Sequence, residues 1–307
     1  MEIIYIVSTQ ILKMFLMMAV GLLFYKIKFV TQEGSKALSN VALYAVVPCV
    51  VFSAFQVDYT PEILKGLAAV FVLGFVSHLI PIFLSRFMVR GKDKNRSVIE
   101  KFALTYPNCG FMGIPIAQAM YGNLGVIYIT AFISAQNVLV WSQGISLMRG
   151  GYEKGSWRNI ILAPVMVATF FGILFFLLQI RIPELFLSTI QSIGGMNTPL
   201  AMIVAGVSIG QTDIWATLKQ KRIYYISFMK LIVIPLIILG IMIFLDIDIE
   251  VKRIVLLGVS APTAAVTTMF AVKFDKDVGY AAELFALITL FSVVSMSAVF
   301  AVAGFVY

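Results

Sequence analysis

Apolar residues run along this chain in long blocks separated by short polar stretches, and ten of the blocks approach the roughly 20 residues that a helix needs to cross hydrocarbon. They are residues 5–26, 38–56, 66–89, 98–120, 125–148, 158–180, 189–210, 222–245, 252–272 and 279–305. The pattern predicts an all-α integral membrane protein with ten transmembrane helices. Two blocks contain a helix-breaking proline, Pro107 in KFALTYPNCGFMGIP and Pro262 in LLGVSAPTAAVTTMF. Proline has no backbone N–H, so in a regular helix these residues would leave the carbonyls of Ala103 and Gly258 unpaired. Hydrocarbon cannot solvate such groups. Both breaks are therefore expected to line one cavity at mid-depth, where protein, water or a ligand satisfies them.

Composition agrees with this reading. The chain has 307 residues, 61% hydrophobic and 12% charged, against roughly 45–50% and 25% in soluble domains. Two cysteines and one histidine are too few for a disulfide framework or a His/Cys zinc cluster. Cys49 and Cys109 fall inside apolar blocks and read as small buried hydrophobes. A formal charge of +8 would fit nucleic acid only if it were gathered on one face, yet the basic residues sit between the apolar blocks. They read as topology determinants. Of the 23 Lys and Arg, Lys13 and Lys230 lie within spans, Lys65, Arg181, Lys252 and Arg253 lie in one set of loops, and all the others lie in the opposite set. The richer set is cytoplasmic by the positive-inside rule, which puts both termini outside. The opening MEIIYIVSTQ carries an acid where a leader would carry bases, so no cleaved signal peptide is expected.

Five spans precede the short linker RGGYEKGSWR and five follow it, dividing the chain into residues 1–150 and 151–307. Five is odd, so the halves face opposite ways. Aligning Gly125 with Gly279 sets Pro107 and Pro262 one residue apart in register and Pro48 within three residues of Pro199. This arrangement predicts an inverted repeat with its binding site where the two broken helices meet.

The order of these features, with NCGFMGIP (Asn108 to Pro115) in span four and APTAA (Ala261 to Ala265) in span nine, resembles the auxin efflux carrier family of secondary transporters. The resemblance covers the whole chain. It implies that broken helices four and nine cross, that spans 1, 2, 6 and 7 form a scaffold, and that spans 3–5 and 8–10 move like an elevator. The large cytoplasmic loop of many plant members is here reduced to RGGYEKGSWR, so regulation through that loop does not carry over and auxin is doubtful as the substrate. Compact members of this kind look like carriers of small organic anions such as malate or malonate.

Individual residues sharpen the expectation. Asn108 follows Pro107, and its amide can hold a carboxylate without burying a charge; it can equally cap the second half-helix. Gly110 and Gly113 permit close approach by a ligand or, more simply, by a crossing helix. With Pro107, Pro115 and Pro262 they outline the expected substrate site. Thr263 follows Pro262 as Asn108 follows Pro107, although threonines in such helices often bond their own backbone. Gln136 and Asn137 are amides deep in span five and should face the interior. Glu283, His78 and Lys13 are candidates for ion coupling. For Glu283 an interfacial role weighs equally, and for His78 a hydrogen-bonded buried ring is the plainer reading.

The expected function is secondary transport of a small organic anion, coupled to a proton or sodium gradient, without a resident cofactor or metal. A sodium-coupled symporter of the bile-acid type and a membrane receptor are the alternatives. The sequence lacks the HExxH or paired aspartates of an intramembrane enzyme. The expected partners are the organic anion, the lipid bilayer of the cell membrane and, as one option, a second copy of the chain; nucleic acid is not among them. Epitope tags fused to the two ends should both be accessible from outside intact cells. A tag reached only after permeabilisation would mean that one of the ten spans is false.

Overall fold

The computed structural model describes residues 2–91, 93–151 and 161–306. Lys92, Lys154, Arg158, the terminal Met1 and Tyr307, and most of the RGGYEKGSWR linker lie outside the described residues. The described chain is helical throughout: α1 Glu2–Lys26, α2 Gln32–Ala54, α3 Pro61–Met88, α4 Lys94–Thr105, α5 Cys109–Arg149, α6 Pro164–Leu178, α7 Glu184–Gly210, α8 Ile214–Leu218, α9 Lys221–Ile243, α10 Ile249–Ser260, α11 Val266–Lys273 and α12 Val278–Val306. Seven of these helices, α1, α2, α3, α5, α7, α9 and α12, are long and apolar enough to cross a membrane. The protein is a multi-pass membrane protein.

The expected spans map onto these helices with informative differences. Span four is split into α4 and the first arm of α5, and span nine into α10 and α11. Span five is the second arm of α5. The two arms meet at Tyr121 and Gly122, where Gly122 adopts φ 56° and ψ −135°, a conformation that L side chains rarely adopt. Several helices start earlier than the apolar blocks, because polar caps begin them. Thr60 accepts from Ile63 N ahead of α3, Thr31 from Gly34 N ahead of α2, and Asp93 from Asn95 N and Arg96 N ahead of α4.

Prolines shape the helices as well as break them. Widened turns with hydrogen bonds spanning five residues occur at Ala42–Val46, Cys109–Gly113 and Met229–Val233. Each ends two residues before a proline, Pro48, Pro115 or Pro235. A proline ring clashes with the carbonyl four residues back, here Tyr44, Phe111 and Leu231, the middle residue of each wide turn. Opening the turn relieves the clash. A fourth wide turn, Val140–Gly144, has no proline behind it, and nothing in the structure explains it.

Two groups of helices emerge from the packing. In the first, α1 lies along α7 and α2 packs against α6 and α7. In the second, α3 packs on the second arm of α5 and on α10, while α9 and α12 pack against the half-helices. Helix α1 also touches α5 and α12, joining the groups. The α1–α7 contact depends on small residues, since a Cβ on Gly206 would collide with the Met18 carbonyl and one on Gly21 with that of Ile203. At one end, Arg222 of α9 holds Glu100 of α4 through two bonds of 2.9 and 2.7 Å, and Tyr280 of α12 donates to the same carboxylate at 2.7 Å. This fastens three helices of the second group to one another. Glu100 is only 3% exposed, so its charge depends on these donors.

Gly206→Leu should lower stability by at least about 1–3 kcal/mol, the usual cost of overpacking, because the collision is with backbone that cannot swing aside. Thermal melting of the purified protein in detergent checks this; an unchanged melting temperature would mean that α1 and α7 are not in this contact.

Candidate functional site

The breaks at Pro107 and Pro262 meet. Among the described residues there is no sheet, and one antiparallel bridge pairs Pro107 with Thr263. Asn108 N–H donates to Pro262 O at 2.7 Å and Ala264 N–H donates to Tyr106 O at 2.9 Å. Tyr106 and Ala261, the residues before the two prolines, are extended. A residue before proline is driven toward that conformation by the proline ring, so the sequence itself prepares two short extended pieces that can pair. Each break thus gives one backbone donor to a carbonyl of the other.

Side chains complete the pairing. Gln136, on the second arm of α5, donates from Nε2 to Pro107 O at 2.8 Å. The Cys109 thiol donates to Gly258 O at 3.4 Å, the carbonyl that Pro262 cannot serve. Cys109 is buried, as its sequence context suggests, but it also caps a broken helix. The Tyr106 hydroxyl, fully buried, lies 3.0 Å from Leu139 O and 2.5 Å from Gln143 Oε1, anchoring the α4 break to α5. Neither Tyr106 nor Gln143 stands out in sequence, although the position before a proline marks Tyr106 in retrospect.

The candidate residues divide by what they already touch. Asn108 is 7% exposed and makes no side-chain capping bond, so its amide is uncommitted. Gly110 has open space where a Cβ would sit, whereas a Cβ on Gly113 would press on Cys109 and Ile129. Gly110 thus borders free volume, and Gly113 serves packing. Pro115 is buried and sets the wide turn at Cys109–Gly113. Thr263 is fully buried and its hydroxyl pairs with that of Thr267 at 3.2 Å. Gln136 is buried at the crossover, while its neighbour Asn137 is half-buried.

The ionisable candidates are spread out. His78, 1% exposed, lies with Nδ1 2.6 Å from Gly74 O and its ring 4.9 Å from that of Phe132 and 6.1 Å from that of Tyr106. With Nδ1 donating, the neutral ring presents an acceptor at Nε2; Gln136 likewise presents Oε1. Neither of these buried atoms meets strict hydrogen-bond geometry with a described residue, although the two side chains are neighbours. Glu283 is half-buried and accepts from Gln220 Nε2 at 2.7 Å, in the α12 turn after Tyr280. Lys13 is exposed on the outer face of α1. Lys230, in the wide turn of α9, is 1% exposed. A cleft of about 540 Å³ lies away from the crossover, between α2, α6 and α7, lined by Tyr44, Phe52, Phe171 and Phe175 among others.

A family profile described as a membrane transport protein matches residues 6–300. An "uncharacterized transporter" of Methanothermobacter thermautotrophicus is 22% identical over 296 residues, covering 94% of this chain and 96% of the relative. Another protein so described, from Methanocaldococcus jannaschii, is 21% identical over 277 residues, covering 85% of this chain and 87% of that one.

Replacing Gln136 by Leu leaves Pro107 O without its donor in a buried setting, and should cost about 1–3 kcal/mol of stability. Thermal melting of the variant tests this. No loss would mean that the Pro107 carbonyl is satisfied without Gln136.

Proposed function

The chain belongs to the auxin efflux carrier family of membrane transport proteins, and on that premise we propose that it is a secondary carrier of a small organic anion, a carboxylate, bound where the broken helices cross. The observation that carries the reading is the state of Asn108. The backbone around it is committed to the partner break, yet its side chain makes no hydrogen bond to a described residue, and the residue is 7% exposed. An amide offers two donors in fixed geometry, and the start of the α5 half-helix adds the partial positive charge of its N-terminus. Gly110 leaves room beside it.

In this proposal the chain crosses the membrane ten times as two inverted five-helix halves. The group containing α1, α2, α6 and α7 is the scaffold, and the group containing α3, α4, α5 and α9–α12 carries the site across it like an elevator. The tie between Glu100, Arg222 and Tyr280 lies wholly within the moving group, as rigid-body motion requires. The burial of Asn108, Pro107 and Thr263 fits an occluded arrangement. Carriage by such movement forms no covalent bond, and we propose no enzymatic step.

An ion gradient supplies the energy. We propose that coupling lies at the crossover, where the buried His78 ring and the Gln136 amide are neighbours and could share a proton or hold a sodium ion. Glu283 already serves Gln220, and Lys13 faces outward. The amide oxygen of Gln136 keeps the sodium-coupled symporter as the second reading.

Asn108→Ala should weaken carboxylate binding by about 1.5–3 kcal/mol, the range for a hydrogen bond to a charged group, which is roughly 10- to 150-fold in affinity. The melting temperature without ligand should change little. Titration of the purified protein with malate and malonate reads both quantities. Retention of full affinity would sink the assignment of Asn108.

A further inference from the structure

We propose that Lys230 provides the counter-charge for the bound anion. The inference rests on the carrier reading above and adds a residue that binds substrate through its charge. Lys230 sits in FMKLIV, in the middle of an apolar helix, and is 1% exposed. The widened turn Met229–Val233 that carries it packs against α4, α10 and α12, so it touches one half-helix from each broken pair. One of these, α10, carries Gly258 of the crossover. Cys109 is the chain neighbour of Asn108 and is bonded to Gly258. Buried in a turn that packs on both α4 and α10, the lysine lies on the α9 side of the two helices whose ends form the crossover.

What is missing around Lys230 is an acid. Among the described residues no carboxylate pairs with it and no hydrogen bond engages it, whereas the nearby acids at the helix ends are occupied elsewhere. Glu100 is held by Arg222 and Tyr280, Asp277 by Arg96, and Glu283 by Gln220. A structural buried lysine would be expected to bond carbonyls or an acid, because an unpaired charge in such a place is costly. A lysine that binds a transported anion has a partner that arrives and leaves. Asn108 then supplies direction through its amide, and Lys230 supplies the charge that selects anions over neutral molecules of the same shape.

The test uses the full-length protein purified in detergent, with melting temperature read against acetate, malonate, malate and succinate, and with neutral malonamide as control. The wild type is expected to be stabilised by one or more of the carboxylates and not by malonamide. Lys230→Met should lose at least tenfold in apparent carboxylate affinity and should melt higher than wild type without ligand, since a buried unpaired charge has been removed. Lys230→Arg should keep the preference for anions over malonamide. A Lys230→Met protein with wild-type carboxylate affinity overturns the assignment and leaves the carrier reading standing. One that fails to fold, or melts lower without ligand, shows the ammonium to be structural and also overturns it. A wild-type protein that responds to none of the carboxylates overturns the carrier reading first, and this inference with it.

Discussion

A backbone amide or carbonyl inside a membrane must find its partner within the protein, and this requirement organises the centre of the molecule. Pro107 and Pro262 each remove a donor from a helix that has no water to replace it. The two lesions are brought together so that each repairs the other, through Asn108 N–H to Pro262 O and Ala264 N–H to Tyr106 O. Gln136 and Cys109 supply the remaining donors to Pro107 O and Gly258 O. The side chain of Asn108 takes no part in these bonds and does not cap the half-helix it precedes. In the proposed carrier, that is how a local repair would make room for a substrate.

Other features follow from the same geometry. Wide turns precede Pro48, Pro115 and Pro235, and two of those turns carry Lys230 and the segment after Asn108. Close helix contact then relies on glycines rather than on apolar bulk, because lipid is as apolar as any side chain and offers little drive for association. Gly21 and Gly206 let α1 and α7 touch backbone to backbone. Beside the other group, Phe132 fills the space left by Gly74 on α3 and Gly258 on α10, wedging α5 between them.

The long apolar blocks made the helical class and the two breaks legible in sequence, since proline chemistry and hydropathy act locally. The helix starts were less legible because Thr31, Thr60 and Asp93 cap them from within polar loops that hydropathy discounts. The site was half visible. Asn108 and Pro107 announce themselves by adjacency, but the donors that complete the crossover come from distant segments. Gln136 could be read only as an interior amide, and Cys109 as a small hydrophobe. Thr263 illustrates the opposite case: its place after Pro262 mimics that of Asn108, yet its hydroxyl is paired with Thr267, a contact that helical spacing permits and sequence does not assign. The division of the ionisable residues, Lys13 outward, Glu283 beside Gln220 and Lys230 inward, depends on helix rotation, which the nearly uniform apolarity of these spans does not encode.

The buried lysine of α9 has one more consequence. In the proposed carrier, a protonated lysine without its anion would be an uncompensated positive charge within the span, so any step that shifted it across the membrane would do electrical work of about 2.3 kcal/mol per 100 mV for a full crossing. A bound monoanion would cancel that charge. The loaded and empty forms would then respond differently to membrane voltage, and the potential itself would set how readily the empty protein returns.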